Sequence, residues 1–189
     1  MSTWTRLVSR WDLAIEELLR WDAETMQAIS GHPLLKRLSL LFVIATYLGD
    51  GYLWGGLALG LIIFGSPIDR SYVLVGLGIS IVNIAVFRLF KLLFNRPRPE
   101  LVFFGLRSRL IDSYSFPSGH ATISFGIAWV ITVCYPNILI QLAAYLVAII
   151  IAFSRVYVRE HYPLDVICGA LLGSFTAAYL LPVFERFLF

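Results

Sequence analysis

The sequence predicts an all-α protein: a polytopic membrane bundle of six transmembrane helices, preceded by an N-terminal amphipathic helix. Hydrophobic residues make up 59% of the 189-residue chain and charged residues only 14%, and the mean hydropathy is +0.80. Soluble domains are much less apolar. Apolar runs of about bilayer-crossing length recur along nearly the whole chain after residue 33. We therefore expect an amphipathic helix over residues 1–32 and one membrane-embedded domain over residues 33–189.

The N-terminal helix is predicted between residues 7 and 29, where apolar and charged side chains recur at helical spacing. Trp11, Ile15 and Leu18 belong to its apolar positions. Such a helix either lies in the membrane interface or packs against the bundle, and the sequence favours neither arrangement. Gly31-His32-Pro33 is expected to end it.

The predicted spans follow in order. Residues 34–65 are too long for one span and contain Gly49-Asp50-Gly51, so we expect two short helices with a turn at these residues. The remaining spans are predicted over approximately residues 72–94, 118–135, 138–153 and 163–184, with a proline-rich loop over residues 95–117. In the last span, Gly169 and Gly173 have the spacing that permits close contact between helices.

Composition excludes several kinds of site. The net charge is +3, but the basic residues gather at the ends of apolar runs, so no nucleic-acid partner is expected. Cys134 and Cys168 fall inside predicted membrane helices, which favours an apolar packing role over a disulfide or a metal site. No carboxylate cluster suggests a divalent ion. We therefore expect no metal and no cofactor, and we predict no obligate protein partner.

Ionisable residues cluster at one membrane face. The third predicted span ends near Lys91, the fourth begins at His120, the fifth ends at Arg155 and the sixth begins near His161 and Asp165. Because consecutive spans alternate in direction, these four helix ends lie on the same side. Charged groups at spans usually mark function, so the chemistry is predicted at this surface.

The residue types at this face are those of an anion site. Lys91, Arg98 and Arg155 supply cations, and Ser118-Gly119-His120 supplies amides at a helix start. Asp165 follows His161 by one helical turn and can orient its imidazole. Taken alone, His161 would fit a base, a metal ligand or a helix cap. Placed opposite these cations, it is predicted to attack a bound phosphate.

Three motifs carry a family resemblance: Lys91-(six residues)-Arg98-Pro99, then Pro117-Ser118-Gly119-His120, then Ser154-Arg155-(five residues)-His161-(three residues)-Asp165. Residues from about 34 to 185 resemble the type-2 phosphatidic acid phosphatases. The resemblance implies that His161 attacks phosphorus and forms a phosphohistidine, that Asp165 orients it, and that His120 protonates the leaving oxygen and then activates water. The implied ligands of the phosphoryl oxygens are Lys91, Arg98, Ser118, Gly119 and Arg155.

The expected function is hydrolysis of a membrane lipid phosphate, which makes the lipid substrate and the bilayer the expected partners. Phosphatidic acid, phosphatidylglycerol phosphate, undecaprenyl diphosphate and lipid A phosphates all fit the resemblance. A lipid phosphotransferase and a non-catalytic phospholipid-binding or transport protein are the alternatives. Of the other nearby arginines, Arg96, Arg107, Arg109 and Arg159 are expected to be interfacial, whereas Arg88 fits either the pocket or an ion pair.

The side of the membrane is predicted from the positive-inside rule. We discount the cations of the site and count the following on the opposite face: Arg6, Arg10, Arg20, Lys36, Arg37, Arg70 and Arg186. With an even number of spans, both termini then lie in the cytoplasm. The site is expected to face outward, towards the periplasm, from a bacterial inner membrane.

Overall fold

The computed structural model describes residues 3–99 and 113–188. Every regular element in these ranges is helical, and one isolated bridge pairs Pro97 with Tyr114. The helices are α1 (Thr3–Gly31), α2 (Pro33–Lys36), α3 (Ser39–Tyr47), a π-helical turn (Leu48–Tyr52), α4 (Leu53–Phe64), α5 (Pro67–Phe94), α6 (Gly119–Cys134), α7 (Ile138–Tyr157) and α8 (Pro163–Leu188). The all-helical class is confirmed.

Local sequence explains where α5 begins and ends. Ser66 and Asp69 form a reciprocal capping box, with Pro67 at the first helical position. At the other end, Asn95 adopts a left-handed conformation with φ 49° and stops the helix just after Lys91. The cation is therefore held in the last turn, at the mouth of the loop that follows.

Among the described residues, four helical segments are long and apolar enough to cross a membrane: Ser39–Phe64, Pro67–Phe94, Ile138–Tyr157 and Pro163–Phe184. The apolar helix α6 is shorter, with 16 residues, or about 24 Å. It packs against α5, α7 and α8, so it forms the centre of the bundle. The large side chains that α7 leaves exposed, among them Leu139, Leu142 and Leu146, are aliphatic, as expected of a lipid-facing surface.

Residues 39–64 form one candidate span with a kink, where the sequence predicted two spans. Helices α3 and α4 have 9 and 12 residues, about 14 and 18 Å, and neither alone reaches across the hydrocarbon core. Gly51, with φ 110°, interrupts the helix. The predicted break is therefore present, but it does not separate two membrane crossings.

Contacts along this segment show that the chain keeps its direction through the kink. In α3, Phe42 packs on Tyr157 near the end of α7. Further along, Gly49 lies against Ile151, deeper in α7: a Cβ built on Gly49 would be 2.6 Å from the Ile151 side chain. In α4, the indole nitrogen of Trp54 donates to Ser124 Oγ of α6 at 3.0 Å. The prediction of six spans is thus replaced by five apolar segments within the described residues.

This topology places α1 on the same side as the ends of α7 and α8 that carry the motifs. Arg159 Nε, just after α7, donates to Ser30 Oγ at 2.7 Å. The Leu164 amide, in the first turn of α8, donates to Asp22 Oδ1 at 2.9 Å. Helix α8 then runs to the opposite side. The prediction that both termini lie opposite the site is therefore wrong, because it assumed an even number of spans.

The predicted glycine contact in the last span is confirmed. A Cβ added to Gly173 would lie 2.0 Å from the Thr122 carbonyl oxygen, and one added to Gly169 would lie 2.5 Å from that of Ser118. Helices α6 and α8 therefore touch backbone to backbone. Both cysteines are free thiols, and Cys134 packs in an apolar cluster with Val75 and Leu181.

Candidate active site

The turn between α7 and α8 carries His161 into the bundle. The amides of Glu160 and His161 both donate to the Arg155 carbonyl, at 3.0 and 3.1 Å. Arg159 adopts a left-handed φ of 60°, which lets the chain fold back over the end of α7. As a result His161 is only 1% exposed.

The first turn of α6 carries His120 to the same end of the bundle. The Ser118 amide, at the N-cap of α6, donates to the backbone carbonyl of Asp165 in α8 at 2.9 Å. Gly119 lies against the ring of Phe87, whose nearest carbon would be 3.0 Å from an added Cβ. The start of α6 is therefore fixed to the start of α8, one turn away from His161.

A cavity of about 910 Å³ brings most of the predicted site together. Its lining includes six of the eight residues that the motifs indicate: Lys91, Arg98, Gly119, His120, Arg155 and His161. Asp165 and Ser118 do not line it, and both are fully buried. Within residues 3–99 and 113–188, Ser118 Oγ makes no hydrogen bond. Its assignment as a phosphate ligand stays a prediction.

Two of the cations are buried and held in place by polar contacts. Lys91 is 4% exposed, and its Nζ donates to the Tyr114 carbonyl at 2.7 Å. Arg155 is 1% exposed, and its Nη1 donates to Thr46 Oγ1 in α3 at 3.0 Å. Because these partners fix the side chains, little ordering is needed before an anion binds.

Glu160 holds the two arginines of the site together. Its Oε2 accepts from Arg98 Nη1 at 2.9 Å and from Arg155 Nη2, and its side chain is 2% exposed. A buried carboxylate between two guanidinium groups offsets their mutual repulsion and their desolvation. Glu160 precedes His161 in the sequence, but no role was predicted for it, because a carboxylate is not expected in a site that binds anions.

Asp50 is the charged partner of His120. Its Oδ1 lies 3.0 Å from His120 Nε2, and Gly49 beside it fits against the imidazole, since an added Cβ would be 2.7 Å from His120 Cδ2. Gly49 and Asp50 both belong to the π-helical turn. A carboxylate inside an apolar run often marks a functional site. Because Asp50 stands between two glycines, the sequence predicted a turn there and no role at the site.

The structure places Asp165 behind His161, with Arg96 on its other side. Asp165 Oδ2 lies 3.6 Å from His161 Nδ1, too far for a hydrogen bond, and accepts from the Tyr162 amide at 2.9 Å. Its Oδ1 accepts from Arg96 Nη1 at 2.6 Å. The prediction that Arg96 is an interfacial charge is wrong, because its side chain is only 16% exposed and forms ion pairs with two buried carboxylates.

The environment keeps His161 neutral. Burial, together with repulsion from Arg98, Arg155 and Lys91, holds the pKa of His161 well below its ordinary value of 6.5. A neutral imidazole has the lone pair that a nucleophile needs. Nδ1 is the ring nitrogen that lies 3.6 Å from Asp165, so Nε2 is the nitrogen further from this carboxylate.

The other arginines near the motifs were expected to be interfacial, except Arg88, which fitted either the pocket or an ion pair. Arg88 lines the cavity, and Arg159 donates to α1 at its Ser30. Arg107 and Arg109 lie outside the described residues. Across the part of the chain that the structure describes, no group of three or more His, Cys, Asp or Glu residues could hold a metal ion.

The fold and the site together define a helical membrane protein with a cationic, two-histidine cavity at one surface. Residues 71–188 match the PAP2 superfamily, and this chain belongs to that family. A matching segment of 61 residues is 44% identical to an undecaprenyl-diphosphatase of Sulfolobus acidocaldarius, and it spans 32% of this chain and 29% of that relative.

Two solved structures share the fold. LpxE of Aquifex aeolicus is 30% identical, with a TM-score of 0.63 over 85% of this chain and 94% of that one. A PAP2-type phosphatidylglycerolphosphate phosphatase of Bacillus subtilis is 22% identical, with a TM-score of 0.66 over 87% of this chain and 86% of that one. The second comparison concerns the fold alone.

Proposed function

We propose that this protein is an integral membrane phosphatase that hydrolyses a phosphomonoester or diphosphate of a membrane lipid through a phosphohistidine. One observation carries the proposal: the cavity that holds His120, His161 and the three cations continues into the apolar part of the bundle. Family membership supports the same reaction class.

The shape of the cavity favours an amphiphilic substrate. Below Lys91, its lining on α5 includes Phe87, Ile84 and Ser80, and Ser80 lies about 16 Å deeper along the helix axis. Ile123 of α6 also lines the cavity. A phosphate bound between the histidines would therefore have an apolar channel beneath it that fits an acyl or prenyl chain, whereas a small water-soluble ester would not use that channel.

The residues support a two-step reaction. In the first step, His161 Nε2 forms a bond to phosphorus while the bond from phosphorus to the lipid oxygen breaks, and His120 gives its proton to that oxygen. In the second step, His120 takes a proton from water, whose oxygen attacks phosphorus and releases inorganic phosphate and neutral His161. Lys91, Arg98, Arg155 and the Gly119 amide would stabilise the charge on the phosphoryl oxygens.

The test is phosphate release from a panel of lipid phosphates by the purified protein without divalent metal. We expect release by the wild type and loss of at least about a thousandfold in His161→Asn, because the nucleophile is removed. His32→Asn is the matched control: this histidine is exposed, and asparagine can replace it as the N-cap of α2.

Three outcomes would contradict the proposal. Unchanged activity in His161→Asn would rule out the phosphohistidine. Transfer of the phosphoryl group to an added alcohol with no release to water would identify a phosphotransferase. Tight lipid binding with no turnover by the wild type would identify a binding or transport protein.

We also propose that the first half of α1 lies in the membrane interface beside the site. Trp11, Leu13, Ile15 and Leu18 are between 48% and 69% exposed, and α1 meets the bundle where α7 ends and α8 begins. Tryptophan and aliphatic side chains at that level fit the headgroup region. Quenching of Trp11 fluorescence by brominated lipids, compared with Trp11→Phe, tests this, and absence of quenching would contradict it.

The side of the membrane is a separate part of the proposal, for an enzyme of a bacterial inner membrane. With five segments, Arg20, Lys36 and Arg37 share the side of the site, while Arg70 and Arg186 lie on the other. The positive-inside rule applied to this arrangement favours a cytoplasmic site, the reverse of the sequence-based expectation.

An impermeant thiol reagent applied to intact cells distinguishes the two orientations. The protein carries Gln27→Cys on the side of the site or Pro136→Cys on the other side, both at exposed positions, with the natural cysteines replaced by alanine. Labelling at position 27 alone indicates an outward-facing site, and labelling at position 136 alone indicates a cytoplasmic one.

A further inference from the structure

A chain of ion pairs through Arg96 connects α1 to the carboxylate beside His161. Arg96 donates through Nη1 to Asp165 Oδ1 at 2.6 Å and through Nη2 to Asp22 Oδ2 at 2.7 Å. Asp22 and Asp165 are both 0% exposed. The two ends of one guanidinium fork therefore join residue 22 of α1 to residue 165 of α8.

The Arg96 side chain is fixed by more than its ion pairs. Its guanidinium carbon lies 4.1 Å from the centre of the Tyr162 ring, and its carbonyl accepts from the Ser115 amide at 2.8 Å. Although burial alone would lower it, the pKa of Arg96 is raised by Asp165 and Asp22. The cation therefore occupies one position and presents its two nitrogens in fixed directions.

Asp22 satisfies both of its oxygens within this network. Oδ2 binds Arg96, and Oδ1 accepts from the Leu164 amide at 2.9 Å, one of the unpaired donors at the start of α8. A buried carboxylate costs several kcal/mol unless it is paired. Asp22 is therefore tolerated because of these two partners, and it positions both of them.

Asp165 Oδ2 lies 3.6 Å from His161 Nδ1, so the negative charge of Asp165 favours a proton on Nδ1 and leaves Nε2 free. Asp165 Oδ1 is occupied by Arg96, so Oδ2 is the oxygen directed to His161 Nδ1. The Tyr162 amide also holds Oδ2, at 2.9 Å, so without Arg96 the carboxylate would lose one of the bonds that fix its orientation. Without Asp22, Arg96 would keep only one of its two carboxylates.

We infer that Asp22 and Arg96 are positioning residues for His161, so that α1 is part of the catalytic unit. This inference rests on the proposed phosphatase function. It assigns a role to an N-terminal helix that lies outside residues 71–188, the part that matches the family.

The first measurement is kcat and KM for phosphatidic acid in micelles. Asp22→Asn keeps the size of the side chain and the hydrogen bond from Leu164 but removes the charge that holds Arg96. We expect kcat to fall by about tenfold to a hundredfold with little change in KM, because the nucleophile is misaligned while the phosphate ligands remain. Asp12→Asn is the matched control, since Asp12 is exposed on the same helix.

A double substitution tests whether the two residues act through one path. If they do, Asp22→Asn combined with Arg96→Gln is no slower than Arg96→Gln alone. Losses that multiply would contradict the inference. If Asp22→Asn does not fold, Arg96→Lys takes its place, because lysine keeps the charge but cannot bridge the two carboxylates.

A readout that needs no turnover separates this inference from the phosphatase proposal. In ¹⁵N-histidine NMR spectra, His161 is expected as one tautomer, protonated at Nδ1, in the wild type and as a mixture in Asp22→Asn. The His161 signals are assigned by His161→Asn. An unchanged tautomer together with unchanged kcat overturns the inference. A changed tautomer in a protein that releases no phosphate from any lipid leaves the inference standing and overturns the phosphatase proposal.

Discussion

Gly169→Ala tests whether the contact between α6 and α8 keeps the two histidines in register. The added methyl group would lie 2.5 Å from the Ser118 carbonyl oxygen, and ordinary contact begins at 3.4 Å. The helices must therefore separate by about 0.9 Å at this point. Ser118 precedes Gly119 and His120, and Gly169 lies one turn beyond Asp165, so the displacement acts between the two halves of the site.

The magnitude follows from two opposing effects. Overpacking costs about 1–3 kcal/mol, and alanine in a helix interior recovers about 0.5–1 kcal/mol relative to glycine. We expect a net loss of about 1–2 kcal/mol, which lowers the melting temperature in micelles by roughly 2–8 °C. Phosphate release should fall by up to about a hundredfold, because a displacement near 1 Å misaligns the reacting groups.

Two other glycines supply the controls. Gly76→Ala in α5 adds a methyl group that meets nothing within 4 Å, so stability should be unchanged or slightly higher and activity should be unchanged. Gly173→Ala puts its methyl group 2.0 Å from Thr122, so it should destabilise the protein more than Gly169→Ala does. Because Gly173 lies one turn further from the histidines, the loss of activity for each degree of lowered melting temperature should be smaller. A Gly169→Ala protein with wild-type melting temperature and activity would refute this account of the packing.

Three further predictions concern the ionisable groups. Asp50→Asn removes the carboxylate 3.0 Å from His120, so the first step, measured as alcohol release in a single turnover, should slow by about a hundredfold for an alkyl phosphate but hardly at all for an aryl phosphate, whose leaving oxygen needs little protonation. Equal losses in this step would argue against His120 as the acid. The lowered pKa of His161 means that the unfolded chain binds a proton below pH 6.5 that the folded protein does not. Stability should therefore fall by about 1.4 kcal/mol between pH 7.5 and pH 5.5, and His161→Asn should lack this share of the loss in pH-dependent melting. Glu160→Gln leaves Arg98 and Arg155 without their carboxylate, so the protein should melt at a lower temperature and regain more stability from added inorganic phosphate than the wild type does; an equal response to phosphate would contradict the role of Glu160.

Residues at the ends of long apolar runs could be predicted from sequence. Lys91, His120, Arg155 and His161 each lie within one turn of a helix end, and alternating helix directions bring such ends to one face. The structure does place them around one cavity. The span count failed at Gly49-Asp50-Gly51, because turn chemistry predicts a reversal, whereas packing against α6 and α7 turned it into a kink.

The partners of these residues could not be predicted, because they depend on contacts between distant parts of the chain. Asp22 and Arg96 are separated by 74 positions, and nothing in the periodicity of α1 distinguishes Asp22 from its exposed acidic neighbours. Arg96 belongs to a loop rich in arginine, where the interfacial interpretation is the ordinary one. Glu160 is adjacent to His161, but its charge has the sign opposite to that of an anion-binding residue.

The bond between the Leu164 amide and Asp22 spans 142 positions of sequence, and this has a consequence for biosynthesis. At about 5–20 residues per second, the first residues of α8 are made about 7–30 s after Asp22. Arg96 lies 74 positions after Asp22 and is made about 4–15 s after it. Until then the Asp22 carboxylate has neither partner, so α1 must wait where water can solvate it. Leu164 and Asp165 join this network only once α8 has been made, so by the proposed mechanism a chain that lacks α8 would be inactive towards the surrounding lipid.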